Sequence, residues 1–366
     1  MSNIENKLGR INSLDLLRVI SAGIVFLFHI YTWFGIETVS YKINAVIRTG
    51  ALFMVPFFML SGFVLFLKYG KTDLLLSENI KSFYVKRIQS IYPNYITFLI
   101  IVYAFGLSFP PKPQQAIAIL PIEILGLQSL FSKLFGFLGN GGTWFLSVLI
   151  ILYFLYPFIQ HALNLALKHK AIIITLCYIL AIYPGIVRAY FGGDFSAYYA
   201  NPIYRLPEFV IGMFMSSIVL QNKKNRTPLI YLIMLALFYI LGIALMYDSL
   251  FLNSIKFEQN YIYYNFFAVP LFALVIYCLA TTNSRLVTIL SCNFIIQYLA
   301  KISFSFYLTQ TFALRMVKYF IQNNYLGLNP SSYYKITFMA LILNIIFSIM
   351  MFELIEKTVK RYLFQR

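Results

Sequence analysis

Apolar runs long enough to cross a bilayer recur along nearly the whole chain, and no other feature constrains its fold as much. A transmembrane helix needs about 20 predominantly apolar residues. Ten such runs are read, at residues 14–34, 45–67, 91–109, 144–163, 171–190, 206–220, 229–247, 264–280, 294–320 and 336–355. In lipid the backbone must satisfy its own polar groups, which leaves helices or closed barrels, and runs this long and continuous are not barrel strands. The expected fold is all-α, a polytopic transmembrane helix bundle of about ten spans. Composition agrees, since 11% of the residues are charged against roughly 25% in soluble domains. No polar stretch is long enough for a second domain, so residues 1–366 read as one integral membrane domain. The first run lacks a small-residue cleavage pattern and reads as a retained span.

The formal net charge of +17 would raise nucleic acid as a partner in a soluble protein. Here it reads as the Lys and Arg excess of cytoplasmic loops, with the lipid bilayer as the partner and no nucleic acid expected. With the N-terminus inside, eighteen of the 29 Lys and Arg fall in inner segments and nine in outer ones, Lys301 and Arg315 lying within the ninth run. That places both termini in the cytoplasm and makes the number of spans even. The longest connection, residues 110–142, holds an apolar run at 116–130 broken by Pro121 and Glu123, which reads as re-entrant or interfacial on the outer side. Cys177, Cys278 and Cys292 have no ligand spacing and read as small core residues, so neither a disulfide framework nor a metal site is expected.

Ionisable side chains inside a span are expensive, and their default reading is functional. His29 lies in the middle of the first run and Arg18 opens it. At ~100° per residue, eleven steps bring His29 to within roughly 20° of the Arg18 face, about 16 Å further along the axis. Asp15 stands one turn before Arg18 on nearly the same stripe. This alignment predicts a common passage from a charged mouth to a deep imidazole. Imidazole titrates near pH ~6.5 and is mostly neutral at pH 7, so His29 suits the role of general base for a hydroxyl. The plainer alternatives are a histidine hydrogen-bonded between helices and an arginine that snorkels to the surface.

Other candidates carry similar pairs of readings. Lys86 and Arg87, before the third run, suit either phosphate binding or topology signalling. Ser61-Gly62 in the second run suits close helix packing, or a ligand passing near the backbone. Trp144 follows Gly139-Asn140-Gly141-Gly142-Thr143 and reads as an aromatic-belt residue or part of a lip around an acceptor. Tyr198, Tyr199, Tyr204, Tyr261, Tyr263 and Tyr264 crowd the outer loops, which suits belts and sugar rings equally. Arg205 and Glu208 flank Pro207, a combination that also serves as ordinary helix-start chemistry.

Taken in order, several motifs resemble the acyltransferase-3 family of integral membrane proteins, which includes bacterial O-antigen and exopolysaccharide O-acetyltransferases. They are Leu14-Asp15-Leu16-Leu17-Arg18 through His29, Phe58-Met59-Leu60-Ser61-Gly62-Phe63, Lys86-Arg87 with Pro93, and Trp144-Phe145-Leu146 with Tyr153 and Pro157. Arg205-Leu206-Pro207-Glu208-Phe209 with Gly212 and Ile302-Ser303-Phe304-Ser305-Phe306-Tyr307-Leu308 complete the set. The resemblance implies a cytosolic acyl-CoA donor, acetyl-CoA by family frequency, and a hydroxyl acceptor on a cell-surface saccharide or glycolipid. It also implies Arg18 and His29 as the functional pair and the inner (cytoplasmic) membrane as the location. Three positions depart from the family pattern. Ser90 stands where a second arginine is common, Thr309-Gln310 follows Tyr307-Leu308 where a histidine is common, and Val148-Leu149 replaces a glutamate found in some members.

The expectation is therefore an acyl-CoA-dependent O-acyltransferase without a permanently bound cofactor. Arg18, Lys86 and Arg87 hold the CoA phosphates, His29 is the base beside Arg18 and Asp15, and Ser61, Trp144, Tyr307, Arg205 and Glu208 orient the acceptor. The rivals are a transporter or flippase for a polar or lipid-linked molecule, and a non-catalytic scaffold. Against transport stand the concentration of ionisable residues in the first span and the lack of a visible internal repeat.

Overall fold

The structure is a computed structural model that describes residues 11–35, 41–104, 113–137, 143–192, 198–222, 226–247, 265–323, 325 and 333–359. The loop at 139–142, Tyr261, Tyr263, Tyr264 and the terminal basic residues Lys7, Arg10, Lys360, Arg361 and Arg366 lie outside them. The described residues are helical apart from short connections and one isolated bridge between Thr227 and Thr282. The helices are α1 (Ser13–Phe34), α2 (Tyr41–Arg48), α3 (Met54–Tyr69), α4 (Ser77–Ala104), α5 (Pro113–Ile124), α6 (Thr143–Ala166) and α7 (Lys170–Phe191). They continue with α8 (Pro202–Gln221), α9 (Leu229–Tyr247), α10 (Asn265–Thr281), α11 (Arg285–Cys292), α12 (Phe294–Gln322) and α13 (Tyr333–Met350). A 3-10 turn, Thr49–Phe53, joins α2 to α3, and a π-helical turn, Met351–Glu356, extends α13.

Among the described residues, five helical stretches are long and apolar enough to cross a membrane, or six if the bent α11–α12 pair is one span. The chain is a multi-pass membrane protein. One of the five stretches, Thr143–Arg188, runs through 46 residues and takes in α6 and most of α7. α6 runs alongside α3 in the same direction, since Trp144 packs on Phe58 at one end (6.1 Å) and Gln160 donates to the Tyr69 carbonyl at the other (3.2 Å). α7 opposes α8, with Lys170 on Gln221 (2.9 Å) and Tyr183 stacked on Tyr204 (6.4 Å).

α3 and α8 form the tightest crossing. A methyl group on Gly62 would land on the Phe209 carbonyl oxygen, and one on Gly212 would land on the Met59 carbonyl oxygen. The two helices run parallel, since Tyr199 donates to the Ala51 carbonyl (3.2 Å) ahead of both and Arg205 stands over Phe58 (5.6 Å) further along both. Since α6 parallels α3, α8 parallels α3 and α7 opposes α8, α6 and α7 are two antiparallel helices. Small residues let backbones touch where apolar burial gives no drive for helix association. The packing reading of Gly62 is thus the one the structure carries.

α1 and α12 also run parallel. Phe26 meets Phe306 (5.3 Å between ring centroids), His29 lies beside Gln310, and the Arg315 guanidinium stands over Trp33 (6.0 Å). α12 opposes α13, with Tyr298 on Glu353 (3.2 Å) and Thr309 on Asn344 (2.7 Å). α4 opposes α6, with Tyr84 stacked on Phe154 (5.8 Å) and Tyr95 joined through Gln128 to the Thr143 carbonyl.

The structure corrects several expectations. α8 begins at Pro202, where Asn201 caps it by accepting from the Ile203 N–H (2.9 Å), so Pro207 lies inside the helix and not at its start. Asn followed by Pro is the stronger start signal, combining a capping side chain with a residue that lacks the orphan donor. α4 begins at Ser77, so Lys86 and Arg87 belong to the helix itself. Cys177 and Cys278 are buried as expected, but Cys292 is exposed at the bend between α11 and α12, near Asn12 (3.7 Å). Trp144 is buried (4% exposed) and not in an interfacial belt, because Phe58, Phe145 and Tyr199 enclose it.

The segment after α5 packs into the bundle through polar anchors. Ser147 donates to the Gly126 carbonyl (2.7 Å) and meets Ser129 (2.7 Å), and Tyr95 and Tyr103 both donate to Glu123. Glu123 and Gln128 are buried. These bonds satisfy several polar groups of a segment that the sequence shows only as a broken apolar run, while Gln128 Oε1 is buried without a partner.

Candidate functional site

Arg18 projects from the first turns of α1, where the Asp15 carboxylate, buried and one turn earlier, accepts from its Nη1 (2.6 Å). The pair fixes the guanidinium while leaving 27% of its side chain exposed. Arg18 opens onto a cavity of about 220 Å³ that α1 shares with five other helical elements. α3 supplies Phe57 and Ser61, α4 Arg87 and Ser90, α6 Phe145 and Tyr153, α12 Ser303 and Tyr307, and the π-helical turn Glu356. Arg18, Ser61, Arg87 and Tyr307, proposed separately from the sequence, thus meet in one place.

Arg87 stands over the rings of Phe83 (5.8 Å) and Tyr153 (5.9 Å), and its Nε is buried without a hydrogen-bond partner. A guanidinium held on aromatic faces keeps its donor fork available for an anion. Lys86 does not share the cavity: it is exposed and outside the lining, because the next residue on a helix turns by ~100°. Ser61 faces the cavity, but its hydroxyl donates to the Phe57 carbonyl (2.8 Å).

Glu356 is the lining residue that sequence reasoning missed. Its carboxylate is 8% exposed and accepts from Asn94 Nδ2 (2.9 Å), which also reaches Ser305 (3.3 Å). A π-turn shifts the helical phase of the residues after it, and no helical pattern read at 3.6 residues per turn would have placed Glu356 here. The cavity therefore combines two cations with one anchored carboxylate.

His29 is not part of this lining. The cavity wall includes Phe57, Phe145 and Tyr307, whose rings pack on one another (5.0–6.5 Å). Gln310, beside His29, stands three residues beyond Tyr307 on α12, about 4.5 Å of helix. The open passage expected from the sequence is interrupted there by a layer of aromatic rings. His29 and Gln310 are close without reaching hydrogen-bond geometry: His29 Nδ1 and Gln310 Nε2 and Oε1 are all buried without a hydrogen-bond partner. Gln310 is fully buried.

Arg205, Glu208 and Trp144 lie together, outside that lining. The Arg205 guanidinium sits over Tyr199 (4.4 Å), Phe58 (5.6 Å) and Trp144 (5.7 Å). It donates to the Tyr199 carbonyl and to Glu208 Oε1 (2.7 Å each). Phe58 and Trp144 in turn pack on the cavity-lining Phe145 (5.0 and 6.3 Å between ring centroids), so this cluster backs the cavity wall. Breaking one partner of a buried pair costs about 3–5 kcal/mol, and removing both costs much less. Thermal unfolding in detergent will show Arg205→Met strongly destabilised and the Arg205→Met/Glu208→Met double variant substantially recovered.

The family model described as an acyltransferase domain, that of the acyltransferase-3 proteins, matches residues 11–349. The chain belongs to the acyltransferase-3 family. The match covers nearly the whole chain, and it includes every cavity-lining residue named above except Glu356. As a member of this family, the protein is a membrane acyltransferase. No curated protein and no solved structure matches the chain.

Proposed function

We propose that this acyltransferase-3 protein is an acyl-CoA-dependent O-acyltransferase. It moves an acyl group, acetyl by family frequency, to a hydroxyl of a cell-surface or lipid-linked saccharide. The observation that carries the reading is the meeting of Arg18 and Arg87 at one cavity, with His29 about three turns further along α1. Cations paired with aromatic and carboxylate partners suit the phosphates of CoA. The slender pantetheine arm suits a cavity of about 220 Å³. Lys86, exposed nearby on α4, adds to the field at the mouth. Ser61 and Tyr307 line the path, and Trp144, Arg205 and Glu208 hold its wall.

The neutral imidazole of His29 takes the proton of the acceptor hydroxyl as its oxygen attacks the thioester carbonyl. The new C–O bond forms, the C–S bond breaks, and the proton passes from His29 to the departing thiolate. For the thioester to arrive, the Phe57 and Tyr307 rings turn aside. Activity needs no resident metal in this scheme, because the thioester is already activated. The reading takes the ten apolar runs as ten spans of one domain in the cytoplasmic (inner) membrane, with both termini and the cavity mouth on the cytosolic side. Parallel packing of α1 with α12 and of α3 with α8 supports that count, since first and ninth or second and sixth spans share a direction. The tally of Lys and Arg supports the orientation.

Purified protein in lipid nanodiscs, given labelled acetyl-CoA and a cell-envelope saccharide extract, will release CoA thiol and transfer the label. Movement of substrate without thioester cleavage would favour the transporter reading instead. Replacing Arg87 by Ala removes charge-assisted hydrogen bonds worth roughly 1.5–3 kcal/mol. The expected result is a KM for acetyl-CoA raised at least ~10-fold with kcat little changed, measured by thiol release.

A further inference from the structure

Gln310 is a large amide side chain with no exposed surface, and neither its Nε2 nor its Oε1 has a hydrogen-bond partner. Most buried polar side chains find partners, and each exception asks for an explanation. On one side of it on α12, Thr309 donates to Asn344 Oδ1 (2.7 Å) and meets Ser348 (3.1 Å); on the other, the Thr311 hydroxyl is likewise buried without a partner. The unmet groups of Gln310 instead lie beside the unmet Nδ1 of His29, one turn past the Tyr307 wall of the cavity. An amide held without a partner costs stability, and such a cost is commonly retained where the group acts on a substrate.

We infer that Gln310 is a catalytic residue whose Nε2 N–H donates to the thioester carbonyl oxygen of the acyl donor. The inference rests on the acyl-transfer reading above. As the acceptor oxygen attacks, the carbonyl oxygen gains the negative charge, and once the Phe57 and Tyr307 rings have turned aside the Gln310 N–H stabilises that charge. His29 holds the acceptor's proton meanwhile. When the C–S bond breaks, the carbonyl re-forms and the proton goes to the thiolate sulfur. Imidazole and amide thus divide the work, one handling the proton and the other the developing charge, from facing positions on parallel helices.

The test replaces Gln310 with Met, which keeps length and removes both polar atoms, and with Glu, which places an acceptor where a donor is needed. Full-length variants in nanodiscs are assayed with acetyl-CoA beside wild type and His29→Ala, and their unfolding temperatures are measured. The expected result is a kcat reduced ~10²–10³-fold in both variants with an unchanged KM for acetyl-CoA, and an unfolding temperature for Gln310→Met at or above wild type. A purely structural glutamine would instead lower the unfolding temperature on replacement by Met. The inference is overturned if Gln310→Met keeps kcat within about threefold of wild type, or if its loss of activity follows a loss of stability. If wild type itself cleaves no thioester, the acyl-CoA reading fails, and this inference with it. If wild type is active, His29→Ala is inactive and Gln310→Met is active, the reading stands and only Gln310 is wrongly assigned.

Discussion

His29→Ala will lower the rate of acyl transfer by ~10²–10⁴-fold, the range that positioned general bases contribute, while leaving donor binding intact. The separation follows from geometry. His29 lies outside the lining of the cationic cavity, so removing its ring leaves Arg18 and Arg87 where they are. Equilibrium binding of labelled acetyl-CoA to the variant will match wild type, while thiol release falls to background. Arg18→Ala is its complement. It removes a cavity cation and leaves the buried Asp15 carboxylate without its 2.6 Å partner, so donor affinity and stability fall together. A His29→Ala protein that transfers acyl groups normally would return the residue to its plainer role as a histidine packed between α1 and α12.

Gly212→Val will prevent assembly of the bundle. Its side chain would occupy the position of the Met59 carbonyl, as one on Gly62 would occupy that of Phe209. Backbone offers no rotamer to give way, and overpacking costs of about 1–3 kcal/mol are exceeded where helices must separate. The effect extends to the site, because α3 carries Ser61 and Phe57 into the cavity and α8 carries Arg205 and Glu208 behind it. Size-exclusion chromatography and thermal unfolding of Gly212→Val and Gly62→Val will show aggregated or strongly destabilised protein. Gly23→Ala is the control: a Cβ there meets nothing within 4 Å, and Ala favours a helix over Gly by about 1 kcal/mol. Equal behaviour of all three variants would mean that the α3–α8 crossing is not the close contact described.

The all-helical architecture was legible because lipid leaves so few ways to pair a backbone, and hydropathy alone locates the helices. Helix starts were less legible. The run read from residue 206 begins at Pro202, and the one read from residue 91 begins at Ser77, since caps and amphipathic turns outside the apolar window leave no hydropathy signal. The alignment of Arg18 with His29 followed from helical periodicity. That Arg87 points into the cavity and Lys86 away from it is a question of which face packs, and a sequence read one helix at a time does not contain that. Glu356 escaped notice because a π-turn breaks the period used to look for it. The aromatic layer of Phe57, Phe145 and Tyr307 joins three helices far apart in sequence, so no local pattern showed that it would close the path to His29. Gln310 was visible as a polar residue in an apolar run, but its lack of partners is a property of the packed bundle.

The most direct measurement is a structure of the full chain in nanodiscs with a non-hydrolysable acetyl-CoA analogue. The phosphates are expected against Arg18 and Arg87, with the Phe57 and Tyr307 rings turned aside and the acyl carbonyl between His29 and Gln310. An analogue bound elsewhere on the protein, or lodged in the cavity with its acyl end directed away from His29, would contradict that arrangement.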